Sequence, residues 1–309
     1  MKNTDLLDIL SRYDGPVSGE SLCRSAGVSR TAVWKAVRKL NMHGHIIASS
    51  SSRGYTLIHR DDTDDLPLHF RYHPKCSSTN DLARNGHIDG DADGTVYISD
   101  IQTKGRGRMG RTWEDQPGRS VLMSVLLRPG ISPAAVMGLS LISGLAACKS
   151  INKLYGTDCR IKWPNDIILN SRKIGGILIE SVSSGETLIY AVAGIGINLN
   201  NDNFPAHLAG KASSIFIETG KYNPRIRLAA EISDRLSGYC NDFGACAEEY
   251  RKLCLTAGSR VVIEEAGTGI EAYAEDIGDD GSLLVILDDG SRRRILAGEV
   301  SVRGIAGYV

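Results

Sequence analysis

Between residues 95 and 197 the chain carries five short apolar runs of strand character, Thr95–Asp100, Val121–Leu127, Ile167–Leu169, Ile174–Ser181 and Leu188–Ile197. Only one long helical stretch, Ser132–Tyr155, lies among them. A parallel doubly wound sheet needs a crossover helix between most of its strands, and the sequence does not supply them. These runs therefore predict a mixed sheet joined largely by turns, an α/β (α+β) body. Further helices are expected over about Thr79–Asn85, Pro224–Asp242 and a stretch ending near Cys254.

The segments on either side of this body differ from it in charge. The chain balances 36 basic against 36 acidic side chains over 309 residues. Residues 1–60 nevertheless carry nine bases and four acids, residues 61–256 carry 22 of each, and residues 257–309 carry five bases and ten acids. Zero net charge thus leaves a polyanionic partner open. With 42% hydrophobic residues, and 34 glycines that follow no triplet period, the chain is neither disordered nor collagenous. Its first residues lack the pattern of a secretory signal, and no apolar stretch approaches the roughly 20 residues that cross a bilayer. Seven scattered cysteines without a CxxC pair indicate neither a disulfide framework nor a zinc site. A cytoplasmic chain that does not engage membranes is expected.

The basic head, 1–60, reads as three short helices and a hairpin. Leu6, Leu7, Ile9 and Leu10 form one apolar face, stopped by Gly15-Pro16. Ser18 is placed to cap a second helix and Ser29 a third, in which Ala32, Val33, Ala36, Val37 and Leu40 point inward. Two β-branched stretches, Ile46-Ile47 and Tyr55–Ile58, flank a serine-rich tip that ends in Arg53-Gly54. This is the winged helix-turn-helix order, whose third helix enters the major groove. The candidate DNA-binding residues are Ser29, Arg30, Thr31, Trp34, Lys35, Arg38 and Arg53. Trp34 is equally suited to packing against the wing.

The run Asp61–Asp65 reads as a short acidic linker closed by Pro67. The tail, 257–309, alternates apolar and polar positions around turns at Gly278-Asp-Asp-Gly281 and Asp288-Asp289-Gly290. A small all-β barrel of SH3-like type follows, with Arg292-Arg293-Arg294 its strongest basic feature. The domains expected are therefore 1–60, 66–256 and 257–309.

Within the body, the segment Gly105-Arg106-Gly107-Arg108-Met109-Gly110-Arg111-Thr112-Trp113 combines mobile backbone with forked cationic donors, a pairing suited to phosphate or carboxylate. Its like charges predict disorder in the absence of ligand. The letters GxGxxG do not make it a dinucleotide fingerprint, because a turn follows where a helix should start and position 130 is glycine. Three other pieces accompany it: Ser78-Thr79-Asn80 at a helix start, Lys162-Trp163-Pro164-Asn165-Asp166 at a turn, and glycine pairs on two strands in Lys173–Glu180 and Gly194–Asn198. Cys76 lies beside the first piece, but no His–acid pair that would activate it is recognisable.

Taken together and in this order, these motifs resemble biotin protein ligases, in the form that carries an N-terminal DNA-binding domain and doubles as the biotin operon repressor. The resemblance extends over essentially the whole chain. It implies a catalytic domain of the class II aminoacyl-tRNA synthetase/biotin ligase type. It also implies a two-step reaction in which biotin and MgATP give biotinyl-5′-adenylate, which then acylates a lysine of a biotin carboxyl carrier protein. Under it, Arg106, Arg108 and Lys173 are the catalytic cations. Ser78, Thr79, Asn80, Gln102, Gly107, Gly175, Gly176, Gly194 and Gly196 complete the biotin site with them. Gly105, Arg108, Arg111, Trp113, Lys162, Asn165, Asp166 and Asn198 serve ATP and the adenylate, and Asp166 is the candidate Mg²⁺ ligand. A palindromic operator and a homodimer on DNA are further implications. A biotin sensor without catalysis and a ligase for lipoate or another acyl acid are the competing readings.

Overall fold

The computed structural model describes residues 3–63, 65–133, 136–240, 243–265, 268–296 and 301–304. The head comprises α1 (Asn3–Leu10), α2 (Gly19–Ala26), α3 (Arg30–Met42) and a hairpin of β1 (Ile46–Ser50) and β2 (Gly54–His59). Ser18 Oγ accepts from Ser21 N at 3.1 Å and Ser29 Oγ from Ala32 N at 3.2 Å, so both expected caps satisfy an orphan donor of their helix. Leu6, Leu10, Leu22, Val33, Val37, Leu40 and Ile47 close a core of their own.

The body comprises β3 (Phe70–His73), α4 (Thr79–Ile88), β4 (Val96–Ser99), β5 (Val121–Leu127), α5 (Val136–Tyr155), β6 (Arg160–Lys162), β7 (Asp166–Leu169), β8 (Arg172–Ser184), β9 (Thr187–Ile197), α6 (Ile215–Thr219), α7 (Arg225–Tyr239) and α8 (Phe243–Leu253). Its sheet runs β3-β4-β5-β9-β8-β7-β6, with β3 and β4 parallel and the other pairings antiparallel. The mixed sheet expected from the scarcity of crossover helices is what forms. Two of its strands, β3 and β6, are too short to stand out as apolar runs in the sequence. The expected helix starts at Ser132 and ends at Asp242 touch Ala134, Ala135, Asn241 and Asp242, which lie outside the described residues.

Alternation along the central strands sorts the two faces. Val121, Met123, Val125, Ala193, Ile195, Ile197 and Ile177 join the main core with α5 and α7, while Leu126, Tyr190 and Val192 pack with Ala83 of α4 on the other face. Ser124, Leu178, Glu180, Gly176, Gly194 and Gly196 fall on this second face.

In the tail, β10 (Ser259–Glu265), β11 (Thr268–Ile277), β12 (Leu283–Leu287), β13 (Arg292–Ile295) and β14 (Ser301–Gly304) form an antiparallel sheet in the order β13-β12-β11-β10-β14. Trp163 ties it to the body: its Nε1 donates to Gly281 O at 2.8 Å, and its backbone N donates to Thr256 Oγ1 at 3.0 Å.

The first two residues of the acidic run 61–65 are built into the fold. Asp61 is 3% exposed and Arg225 only 1%. The Arg225 guanidinium reaches Asp61 Oδ2 at 2.6 Å, Asp100 Oδ1 at 2.8 Å and His43 O at 3.1 Å. Asp100 also takes His43 Nδ1 at 2.6 Å and the Tyr72 hydroxyl. Asp62 accepts from Ile226 N and Arg227 N at 2.8 Å each, capping α7. Asp64 lies outside the described residues. The start of this run is thus a joint between the head and the body, with Asp61 buried against a cation from a position 164 residues away.

Candidate functional site

The second face of the sheet carries a cavity of about 960 Å³. Its floor is made by absent side chains: Gly176 pairs with Gly196, and Gly194 lies between Ser124 and Leu178 on neighbouring strands. A Cβ on Gly194 would strike Asn80 Oδ1, and one on Gly196 would come within 2.8 Å of the Trp113 ring. Glycine is required here because other groups press on the strand backbone.

Ser78, Thr79, Asn80, Gln102, Arg106, Gly107, Arg108, Arg111, Trp113, Lys162, Asn165, Asp166, Lys173, Gly176, Gly194, Gly196 and Asn198 all line this cavity. Two of the expected residues do not. Gly175 faces the core, where a Cβ would lie 2.5 Å from Ile197 Cδ1; period-2 alternation puts it opposite its neighbour Gly176. Gly105 is buried behind the lining, against the Trp113 carbonyl and Gln102 Nε2.

At one end, Gln102 Oε1 accepts from Thr79 N at 2.7 Å and from Thr79 Oγ1 at 3.1 Å. A backbone N–H can only donate, so it fixes which way the Gln102 amide points. Asn80 is 4% exposed, and its amide is used internally: Nδ2 donates to Glu180 Oε2 at 2.9 Å and Oδ1 accepts from Ser124 Oγ at 2.6 Å. Ser78 caps α4 through its hydroxyl, which accepts from Asn80 N at 3.3 Å. The sequence reading missed Ser124, although a serine inside the apolar run Val121–Leu127 was a visible signal. It also missed Asp81 and assigned no role to Glu180.

At the other end, Lys173 Nζ sits 2.6 Å from Asp166 Oδ1 and 5.8 Å from the centroid of the Trp113 ring. Arg108 Nη1 donates to Asn165 Oδ1 at 3.2 Å, and Asn165 Nδ2 donates to Ile177 O at 2.8 Å. Burial pulls the Arg108 guanidinium below its ordinary pKa. Asn198 Nδ2 donates to Ser213 O at 3.1 Å, while its buried Oδ1 meets no donor among the described residues.

Trp113 N donates to Gly105 O at 3.0 Å and Gly107 N to Arg111 O at 2.7 Å, which folds residues 105–113 into a hairpin. The charge repulsion inferred from the loop alone is offset by carboxylates at positions 81 and 180, distant in sequence. Met109 adopts a left-handed backbone (φ 56°) at the tip.

Profiles of known families match three parts of the chain: HTH domain over residues 2–56, Biotin/lipoate A/B protein ligase family over 73–198, and Biotin protein ligase C terminal domain over 256–303. The bifunctional ligase/repressor BirA of Bacillus spizizenii is 33% identical, with 94% of this chain and 95% of that one aligned. The chain belongs to the biotin protein ligase family. The biotin–[acetyl-CoA-carboxylase] ligase of Mycobacterium tuberculosis is 35% identical over 72% of this ligase and 85% of its own length. A structure of the biotin protein ligase from Aquifex aeolicus in complex with biotin and ATP superposes with a TM-score of 0.67 at 26% identity, covering 77% of this chain and all of that one.

Elsewhere in this family member, burial pushes the Cys76 thiol above its ordinary pKa, the reverse of an activated nucleophile. Arg292 and Arg293 pair with Glu275 and Glu265 of their own sheet and Arg294 with Asp280 in the β11–β12 turn, so the basic run of the tail is locally neutralised. On the head, Ser29, Arg30, Thr31, Trp34, Lys35, Arg38 and Arg53 are all exposed. Trp34 does not pack under the wing: it is 48% exposed, and Arg38 stacks on its ring at 4.8 Å. Among the described residues, no helix is long and apolar enough to cross a membrane.

Proposed function

We propose that this chain activates biotin with ATP and transfers it to a lysine of a biotin carboxyl carrier protein, and that its head binds an operator in response. The observation that carries the enzymatic half is one cavity with opposite chemical ends on a shared glycine floor. One end presents fixed amide and hydroxyl groups, the other cations with the Asp166 carboxylate.

At the first end, Gln102 Oε1 is held by Thr79, which leaves its Nε2 for the ligand. A buried ureido ring has a carbonyl to accept from such a donor and would be costly to bury unpaired. At the second end, a biotin carboxylate oxygen attacks the α-phosphorus of ATP, the bond to pyrophosphate breaks, and a mixed anhydride forms. Two anions must meet for this to occur, and preorganised positive charge lowers the barrier. Lys173, Arg108 and Lys162 supply it. Asp166 orients Lys173, Asn165 orients Arg108, and Asn198 Oδ1 is placed for a ribose hydroxyl. The acceptor lysine amine then attacks the acyl carbon and AMP leaves; no enzyme nucleophile takes part.

Glu114 and Asp166 are the carboxylates on the cavity wall, and among the described residues no cluster of three or more metal-binding side chains occurs. That donor set fits Mg²⁺ brought by ATP, since this ion binds through one or two carboxylates, phosphate oxygens and waters. When bound, it would neutralise phosphate charge.

The exposed cationic face of α3 and the wing arginine support DNA binding by the head, with two copies on a palindromic site and the cytoplasm as the setting. Incubation with biotin, MgATP and a carrier domain should add one biotin mass to the carrier. Adenylate formation with lipoate and none with biotin would move the substrate, and biotin binding without transfer would leave only a sensor. For the head, affinity for a palindromic site should fall as salt rises; a salt-independent affinity would remove the repressor half.

A further inference from the structure

The amide and hydroxyl groups at one end of the cavity form a single chain, and counting protons fixes its direction. Glu180 Oε2 accepts from Asn80 Nδ2 at 2.9 Å. A carboxylate can only accept, so it turns the Asn80 amide and leaves Oδ1 facing Ser124 Oγ, 2.6 Å away. That carbonyl oxygen has no proton to give. The single proton of the Ser124 hydroxyl is therefore spent on Asn80.

Ser124 Oγ also lies 2.7 Å from Thr79 Oγ1, a separation that needs a proton between the two oxygens. Only Thr79 still has one. Gln102 Oε1, the other acceptor beside that hydroxyl, is farther off at 3.1 Å and is already supplied by Thr79 N at 2.7 Å. Whichever oxygen takes it, the Thr79 proton is used inside the protein. Thr79, which lines the cavity, is left with lone pairs and no donor. Asn80, Thr79 and Ser124 are all buried, and the missing side chain of Gly194 makes the room that the Asn80 amide fills. Neither Ser124 nor Glu180 lines the cavity.

We infer that Ser124 and Glu180 are positioning residues that set the hydrogen-bond polarity of the ring pocket: through Asn80 they make Thr79 an acceptor for a ring N–H, beside a Gln102 amide that donates to a ring carbonyl. This rests on the ligase reading above and adds to it a source of selectivity for a cyclic urea over rings of the same shape. A ring with an oxygen in place of that N–H would set lone pairs against lone pairs and bury an acceptor unpaired. Selection then depends on where protons sit, because the two rings fill the same space.

The test compares biotin with its two cyclic carbamate analogues, in each of which one ring N–H is replaced by oxygen, by calorimetric binding to the full chain. The parent should bind at least one analogue about 100-fold more weakly than biotin. Ser124→Ala removes the middle of the chain. Glu180→Gln lets it run backwards, since a glutamine amide can donate to Asn80 Oδ1, which turns Asn80 Nδ2 to Ser124 and frees the Thr79 proton for the cavity. Each change should cut the preference to about tenfold or less. In biotin-dependent ATP–pyrophosphate exchange, each should raise KM for biotin about tenfold and change kcat less than about threefold, since the reacting end is untouched. Glu180 also faces Arg84 and Arg106, and Ser124→Ala, which leaves those ion pairs in place, separates the two roles. The double variant should be no less selective than the worse single one, because both act through one chain. Ser143→Ala, which removes a buried hydroxyl from α5, should keep the parent preference. A parent that binds biotin and both carbamates within about threefold of one another would overturn the inference, as would single variants that keep the preference, losses that add independently in the double variant, or an equal loss in Ser143→Ala. A parent that binds no biotin would end the ligase reading and this inference with it.

Discussion

Arg106 and Arg225 are each gripped by two carboxylates from distant parts of the chain, yet they sit in opposite surroundings. Arg106 is 34% exposed at the mouth of the cavity; Arg225 is 1% exposed between head and body. An ion pair in water can be broken and remade at little cost, whereas removing one partner of a buried pair strands the other in a medium that cannot solvate it. Burial pulls the Arg225 pKa down, and Asp61 with Asp100 more than offsets this, so the guanidinium stays charged. The same chemical grip therefore makes an adjustable latch in one place and a permanent joint in the other.

The contrast is broken most directly at the joint. Arg225→Met should cost about 3–5 kcal/mol of stability in urea unfolding, because it leaves Asp61 and Asp100 buried without the guanidinium that neutralises them; a loss under about 1 kcal/mol would mean that the buried grip is no tighter than the exposed one. Next comes Lys173→Ala, which keeps the fold but should slow adenylate formation by about 100-fold, the usual cost of losing one preorganised charge at a reacting centre. Arg108→Gly, by comparison, should chiefly speed release of the adenylate, which a chase with unlabelled ligand would measure. Arg106→Met should leave stability within about 1 kcal/mol of the parent, so an unfolding midpoint shifted as far as that of Arg225→Met would erase the distinction between the two grips.

The smallest effect concerns Asp115, just beyond the loop, whose carboxyl is pushed up to about 6 by burial and then by Glu114. Its folded pKa lies above the unfolded reference of 3.8, so the unfolded chain releases its proton first and stability falls as pH rises through this window. Asp115→Asn lacks that penalty. Allowing for the group's partial exposure, it should gain about 1 kcal/mol near pH 8 and almost nothing below about pH 4, measured by urea unfolding at both values.

These positions also mark how far the sequence could be read. Helix caps at Ser18, Ser29 and Ser78, the turns of the tail and the glycine strands are local patterns, visible to the eye because their partners lie within a few residues. Gly175 and Gly176 already strain that reach: both sit in one motif, and only the pleat decides which faces the cavity. The carboxylates at 81 and 180 and the pair at 61 and 100 were out of reach altogether. A charge in sequence has no sign of its future partner, so neither the carboxylates beside Arg106 nor the cation beside Asp61 could be read from it. Long-range pairing is decided by topology.

The joint bears on how this chain could be taken apart. Recombination and protein engineering treat a helix-turn-helix unit as a cassette that can be removed at a linker, and the acidic run after residue 60 invites that cut. A chain starting at residue 66 would lose Asp61 from the grip on Arg225 and Asp62 from the start of α7, so the enzyme half would inherit a defect some distance from its cavity. A viable excision would carry Asp61 and Asp62 along, or replace Arg225 with an apolar residue together with Asp100. The regulator is thus fastened to the catalyst by residues that belong to neither function.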